Sequence, residues 1–346
     1  MIRTPSGVAA AIAVFACGIA ASAVLTEAAR RYALRRQLLD HPGQRRSHVV
    51  PTPRGGGIGP VMVLLAGGAL LIAHGGTANT AFLACLLGIA AIAGIGWFDD
   101  HRPLPAMLRL LVHLLAAFAA AITMIGTPHD PMQLAWITIA TLGIAGLVNA
   151  WNFMDGIDGL ATSQAGLVTL VVLVGSCIGG NWLDDAWWIF GLLLLAAIIG
   201  FLPFNFPRAR IFLGDVGSGT LGFAIACLLL QATMTGGLSW PLAMLPVSAF
   251  LIDAGMTLSL RVVRGKAWWL PHREHLYQWM VRSGRSHVSV TGWYAFWSLC
   301  AGAIAIGISV FSRRFEDEIA GGTILCGIGI WMWLRKRIWK AARHRR

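Results

Sequence analysis

Charge is scarce in this sequence. Asp, Glu, Lys and Arg together make up 12% of its 346 residues, and only 15 residues are acidic. No polar stretch is long enough to build a separate soluble domain, which excludes a receptor or binding module carried beside the apolar runs. Cysteine supplies no framework either. Cys17, Cys85, Cys177, Cys227, Cys300 and Cys326 each lie inside an apolar run without CxxC spacing, so they read as small buried hydrophobes and not as disulfides or zinc ligands. What the chain has is grease: 57% hydrophobic residues, a mean hydropathy of +0.69, and bilayer-length apolar runs throughout. The expected fold is all-α, a polytopic membrane helical bundle with residues 1–346 as one membrane-embedded unit.

Apolar length places eleven spans at 6–29, 58–74, 80–98, 106–126, 134–150, 160–180, 186–204, 219–233, 241–260, 293–311 and 319–334. An odd count puts the termini on opposite sides. Of the 27 Lys and Arg residues, all but Arg3, Arg313 and Arg314 fall on one side of this arrangement, which makes that side cytoplasmic and the N-terminus periplasmic. The net charge of +12 is therefore a topology signal, suited to anionic lipid headgroups, and no nucleic-acid partner follows from it. The first run is too long for a signal-peptide core, and its removal would strand the arginines of 30–54 on the outer side; it counts as a span.

Acidic residues sort by side. Asp130, Asp184, Asp185, Glu316, Asp317 and Glu318 lie in short outer turns and read as solvated loop charge. On the basic side, Asp99-Asp100, Asp155/Asp158 and Asp215 come from three loops, each at the end of a span. The most unusual stretch is Asn149-Ala-Trp-Asn152-Phe-Met-Asp155-Gly156-Ile-Asp158-Gly159-Leu160, a polar knot between two apolar runs. If it is helical, Asp155 and Asp158 share a face at i,i+3 spacing and call for a positive group between them. The Gly214-Asp215-Val-Gly217-Ser218 segment offers a carboxylate and a hydroxyl at a helix start, suited to a hard cation that also bridges phosphate oxygens. Arg109 and His113, four apart on one helix face, are ionisable groups inside a span and are expected to face the bundle interior.

A basic half accompanies the acidic one. His48 and Arg54, in a loop of prolines and glycines ending at Gly57, are placed to present cations to an anion, with Arg102 as a further candidate. Beyond Trp268-Trp269 the loop runs through His272, Arg273 and His275 to Gln278, and its histidines read as phosphate donors more readily than as metal ligands.

Five stretches in order, His48 to Gly57, Asp99-Asp100, Asn149 to Ala161, Asn205 to Ser218 and Arg273 to Gln278, resemble the polyprenyl-phosphate N-acetylhexosamine-1-phosphate transferases. The resemblance covers about residues 40–280. It implies a bacterial inner-membrane enzyme, active on the cytoplasmic face, that moves an N-acetylhexosamine-1-phosphate from a UDP-N-acetylhexosamine to undecaprenyl phosphate and releases UMP, with Mg2+ or Mn2+. It further implies Asp99 and Asp100 as catalytic groups, Asp215 and Asn152 at the metal, and Asn149, Asp155, Asp158, Arg273 and His275 at nucleotide and substrate. His48, Arg54 and Arg102 would meet the lipid phosphate. Single in-line displacement is favoured over a phospho-aspartate route.

Two departures from the family pattern matter. His275-Leu276-Tyr277-Gln278 stands where the peptidoglycan enzyme has a histidine triplet and the common-antigen enzyme a His-x-His-His pattern, which argues against a muramoyl-pentapeptide donor and toward the branch that initiates O-antigen or lipopolysaccharide. Arg109 stands where lysine-bearing patterns follow the aspartate pair in several relatives. The rival classes are a CDP-alcohol phosphotransferase, which needs an arginine after the first Asp-Gly that Leu160 to Gln164 does not supply, and a transporter or lipid flippase, for which Asp253 and His113 are the tempting residues. Asp253 is expected to be a helix-packing or supporting group. A homodimer is left open.

Overall fold

Uninterrupted apolar stretches become helices because a backbone removed from water must satisfy its own N–H and C=O groups. The computed structural model describes residues 5–40, 50–73, 80–179, 185–267, 270, 272–311 and 313–343. In chain order the helices are α1 (Pro5–Arg35), α2 (Ile58–Ala73), α3 (Thr80–His101), α4 (Ala106–Ile125), α5 (Pro131–Met154), α6 (Leu160–Gly179) and α7 (Asp185–Asn205). They continue with α8 (Gly214–Met234), α9 (Trp240–Met244), α10 (Ser248–Val263), α11 (Leu276–Arg282), α12 (His287–Phe311) and α13 (Glu316–Arg343). The only strands among the described residues are β1 (Leu39–Asp40) and β2 (Thr52–Pro53), an antiparallel pair of two residues each. The all-α membrane fold is what the structure has.

Eight of these helices are long and apolar enough to cross a membrane: α1, α3 to α8 and α12. The other expected spans take different forms. The 16-residue α2 is a shorter apolar helix, and the run at 241–260 is broken at Leu245–Val247 into α9 and α10. The helix over 319–334 belongs to α13, which starts with Glu316, Asp317 and Glu318 and ends in basic residues. The expected span 219–233 extends back to Gly214, so that Asp215 lies in the first turn of α8.

Helix α8 is the axis. It packs against α3, α5 and α6, and 89% of its apolar window is buried, against 11% for α1. Small residues permit this. A Cβ on Gly96 of α3 would lie 2.6 Å from the backbone of Asp215, and a Cβ on Gly57 would collide with Gly217. Glycine at these crossings lets three chain segments converge on the start of α8. Only Cys85 and Cys227 are buried; Cys17, Cys177, Cys300 and Cys326 lie on the outer surface, where a thiol costs little against lipid.

Candidate active site

Three helix ends meet at one guanidinium. Arg109, in the first turn of α4, donates from a single nitrogen to Asp99 Oδ2 at 2.8 Å and to Asp215 Oδ2 at 2.6 Å. Asp99 belongs to the last turns of α3, and its Oδ1 accepts the Leu104 N–H at 2.7 Å, which fixes the turn into α4. From the end of α5, Asn152 donates to Asp215 Oδ1 at 2.9 Å and to Ser218 Oγ at 3.1 Å. The Asp99, Arg109 and Asp215 side chains retain 15%, 29% and 30% exposure, so a ligand can reach them.

Asp100 does something different from its neighbour. It is 4% exposed and accepts the N–H groups of Asp215 and Val216, both at 3.2 Å. It thus supplies from α3 the cap that Leu213, at the α8 N-cap position, lacks. Arg54 is a charge neighbour of Asp100. It is delivered by a backbone ladder in which Phe212 N–H donates to Pro53 O, Gly56 N–H to Phe212 O and Gly57 N–H to Leu213 O, at 2.8 to 2.9 Å. Arg102 is exposed at the α3–α4 turn, with no side-chain bond to the cluster. His48 lies outside the described residues.

The polar knot is helical only as far as Met154, and that parts its two aspartates. The chain leaves α5 at Met154 and re-forms a helix at Leu160, so the i,i+3 face does not exist. Asp158 turns to α12, where its Oδ2 lies 3.2 Å from His287 Nδ1 and its carbonyl accepts from Thr291 Oγ1 at 3.2 Å. Asp155 stays with the other carboxylates. Burial, and after it the charges of Asp215, Asp100 and Asp158, push its carboxyl up to about 8. Gly156 has no room for a side chain, because a Cβ would overlap the Tyr277 hydroxyl, which donates to Phe153 O at 3.0 Å. Asn205 fastens the other side: its Oδ1 accepts from Gly159 N–H at 3.1 Å and Thr162 Oγ1 at 2.9 Å, and its Nδ2 donates to Ile211 O at 3.2 Å.

Arg109, Asp215, Asn152, Asn149 and His113 form the polar end of a cavity of about 460 Å³ between α4, α5 and α10. Its remaining wall is mostly apolar, with Leu110, Leu114, Leu142, Leu251 and Leu258 among its lining. The shape suits an amphipathic ligand with an anionic head. Arg273 and His275, expected to join this site, do not line the cavity. His275 is 2% exposed and lies over Phe153, and burial holds its imidazole below the ordinary range. Arg273 faces a separate basic cleft. The cause is Asp253, which accepts the N–H groups of Leu276 at 2.7 Å and Tyr277 at 3.2 Å and so draws the start of α11 against α10.

Sequence reasoning singled out Arg109 without a role and missed His287, Tyr277 and Asn205 as positioning groups. The partners that give them this role are distant in sequence: Asp158 is 129 residues from His287, Phe153 is 124 from Tyr277 and Gly159 is 46 from Asn205.

For a hard divalent cation the donor set is right in kind, with carboxylate oxygens of Asp215 and Asp99 and an amide oxygen on Asn152, whose nitrogen is the atom already engaged. Among the described residues no three His, Cys, Asp or Glu side chains stand close enough to hold an ion by themselves. An ion here would need ligand oxygens or water to complete its shell, which is how magnesium is commonly held.

The carboxylate cluster and the helices that build it fall in a segment that known proteins share. Residues 82–233, from α3 through α8, match the model of glycosyl transferase family 4. The decaprenyl-phosphate N-acetylglucosaminephosphotransferase of Mycolicibacterium smegmatis is 30% identical over 75% of this chain and 72% of its own length. That of Mycobacterium tuberculosis is 28% identical over 89% and 85%. The phospho-N-acetylmuramoyl-pentapeptide-transferase of a Synechococcus strain is 30% identical over 78% and 83%. Similarity of this extent makes the chain a multi-pass membrane member of the polyprenyl-phosphate N-acetylhexosamine-1-phosphate transferase family.

Proposed function

We propose that the protein transfers an N-acetylhexosamine-1-phosphate from a UDP-sugar to undecaprenyl phosphate, releasing UMP, at the cytoplasmic face of a bacterial inner membrane. The observation that carries this is the junction of Asp99, Asp215 and Arg109 at the polar end of an otherwise apolar cavity. A polyprenyl chain occupies the apolar part, and its phosphate meets Arg109, which already bridges two carboxylates. As the phosphate binds, Arg109 exchanges part of its carboxylate contact for phosphate oxygens. Asp99, released from that contact, accepts any proton left on the lipid phosphate. Asp100 keeps α8 aimed at the site by accepting the Asp215 and Val216 N–H groups on its two carboxylate oxygens, which leaves Asp99 as the proton acceptor. Asn152 holds the Asp215 carboxylate in register, and Arg54 adds positive charge on the opposite flank. Magnesium, held by Asp215 and the Asn152 amide oxygen, would neutralise charge on the donor diphosphate.

Two features bear on donor and pathway. Tyr277 and Gln278 occupy the positions at which histidines follow in the peptidoglycan branch, and Tyr277 seals Gly156. Relatives named for N-acetylglucosamine transfer align over up to 91% of the chain. Both favour a simple amino sugar over muramoyl-pentapeptide, and a role in starting a lipid-linked glycan such as O-antigen. The ionisable cluster also sits at helix ends, whereas a transporter is expected to hold such groups at mid-span.

The test is transfer of labelled sugar-phosphate from a panel of UDP-N-acetylhexosamines to undecaprenyl phosphate by purified protein, with magnesium and with chelator. Metal-dependent lipid product together with UMP supports the proposal. Folded protein that yields no product with any donor, beside a working relative, overturns it.

A further inference from the structure

A second cleft, of about 610 Å³, lies at the junction of α10, α11 and α13, outside the carboxylate cavity. Its wall carries six cations, Arg264, Lys266, Arg273, Arg282, Arg335 and Lys336, against one acid, Glu274. That acid is already shared, with Arg261 Nη1 at 2.5 Å and Lys266 Nζ at 3.0 Å from the same oxygen. The cleft is therefore strongly electropositive, and like charges so close together favour an anion between them. Three tryptophans, Trp279, Trp331 and Trp339, stand among the cations, with the Arg282 and Arg335 guanidiniums 4.6 and 4.9 Å from the ring centres of Trp279 and Trp331. Tryptophan beside arginine is the composition of a membrane–water interface.

What lies next to the basic cleft decides the ligand. Trp331 is shared with an apolar recess of about 160 Å³ whose wall includes Ile252, Trp293, Phe296 and Trp297. The outer surface of α13 there is apolar and exposed at Ile330, Met332 and Trp333. A soluble anion would use the cations and leave the recess; a lipid would use both. We infer that this cleft binds one anionic phospholipid, its phosphate among Arg264, Arg335 and Lys336 and an acyl chain across Trp331 into the recess. The site touches no residue of the Asp99–Arg109–Asp215 cluster, but it meets the chemistry through α11, whose start is held by the same Asp253 that bonds the Trp331 indole at 3.0 Å. An occupied cleft would thus clamp α13 against α11.

The experiment uses full-length protein in neutral detergent, titrated with dioleoyl-phosphatidylglycerol, with dioleoyl-phosphatidylcholine and with UMP, reading tryptophan fluorescence and bound lipid by native mass spectrometry. Phosphatidylglycerol is expected to bind at least about tenfold more tightly than phosphatidylcholine. Arg264→Gln/Lys336→Gln, which removes two exposed charges that bear no described side-chain bond, should erase about tenfold or more of that preference, and Arg264→Lys/Lys336→Arg should retain it. High salt should weaken phosphatidylglycerol and spare phosphatidylcholine, a readout on the unaltered protein that stands if the variants fail to fold. Equal affinity for the two lipids, or a preference untouched by both salt and the glutamine pair, overturns the inference. So does UMP that displaces the lipid and loses affinity in the glutamine pair, since the cleft would then belong to a soluble nucleotide.

Discussion

Asp253 and Asp215 are both carboxylates set into apolar helices, and they differ in what surrounds their oxygens. Asp253 is 1% exposed and receives two backbone N–H groups, the Tyr294 hydroxyl at 2.7 Å, the Trp331 indole at 3.0 Å and the Thr257 hydroxyl at 3.2 Å. Its acceptor capacity is consumed by protein. Asp215 receives one amide and one guanidinium and keeps 30% of its side chain exposed at a cavity. A buried charge with its partners complete is scaffold, while one whose partner is a partly exposed arginine beside a cavity is equipped to change partners. The same contrast divides the adjacent pair, in which Asp100 is used up by the start of α8 and Asp99 is not.

The contrast can be broken most sharply at Asp215. Asp215→Asn should lower transfer about a thousandfold or more, since it removes charge where the phosphate chemistry is concentrated, and should leave the melting midpoint nearly unchanged. A variant with near-normal rate and metal dependence would remove Asp215 from the chemistry. Asp253→Asn should do the reverse, costing about 3 kcal/mol of stability by leaving several donors facing an amide. Activity of the fraction that stays folded should persist, and thermal inactivation beside the initial rate measures both. Loss of rate without loss of stability would make Asp253 more than scaffold.

The adjacent pair gives the next effect. Asp99→Asn should reduce turnover about a hundredfold at constant stability, while Asp100→Asn should cost about 1 kcal/mol as a lost helix cap, with a smaller effect on turnover. If the two variants exchange these signatures, the separation drawn between them is wrong.

The smallest effect concerns pH. The Asp155 carboxyl is raised from 3.8 to about 8, so between those values the native state holds a proton that the unfolded chain has lost. Stability should then fall as pH rises from about 4 to about 8 and level off above, and Asp155→Asn should flatten that fall. Melting midpoints across this range in the presence of chelator provide the check, and a curve unchanged by the substitution would deny Asp155 its shifted proton.

Much of the architecture was legible because a bilayer imposes length and polarity on one-dimensional sequence. The runs that became α3 to α7 and α12 announce themselves by apolar length alone, and the three aspartate-bearing loops stand out because carboxylates at span ends are costly without a partner. The break of 241–260 into α9 and α10 is marked by Pro246, which cannot continue a helix, but apolar length alone passes over it because Leu245-Pro246-Val247 is as apolar as the helices that it separates.

Composition and local pattern determined that this chain is helical, embedded in membrane and carries its acidic motifs at helix ends. Tertiary structure alone decided which aspartate does what. Asp99 and Asp100 are neighbours with the same chemistry, but one turn of α3 aims one at Arg109 and the other at the backbone of α8. Asp155 and Asp158, three residues apart, are parted by a turn whose shape depends on Tyr277, more than a hundred residues downstream. The reason is physical. Burial and apolar periodicity are properties of a segment, whereas a carboxylate's role is set by the donors around its oxygens, and those donors come from other helices.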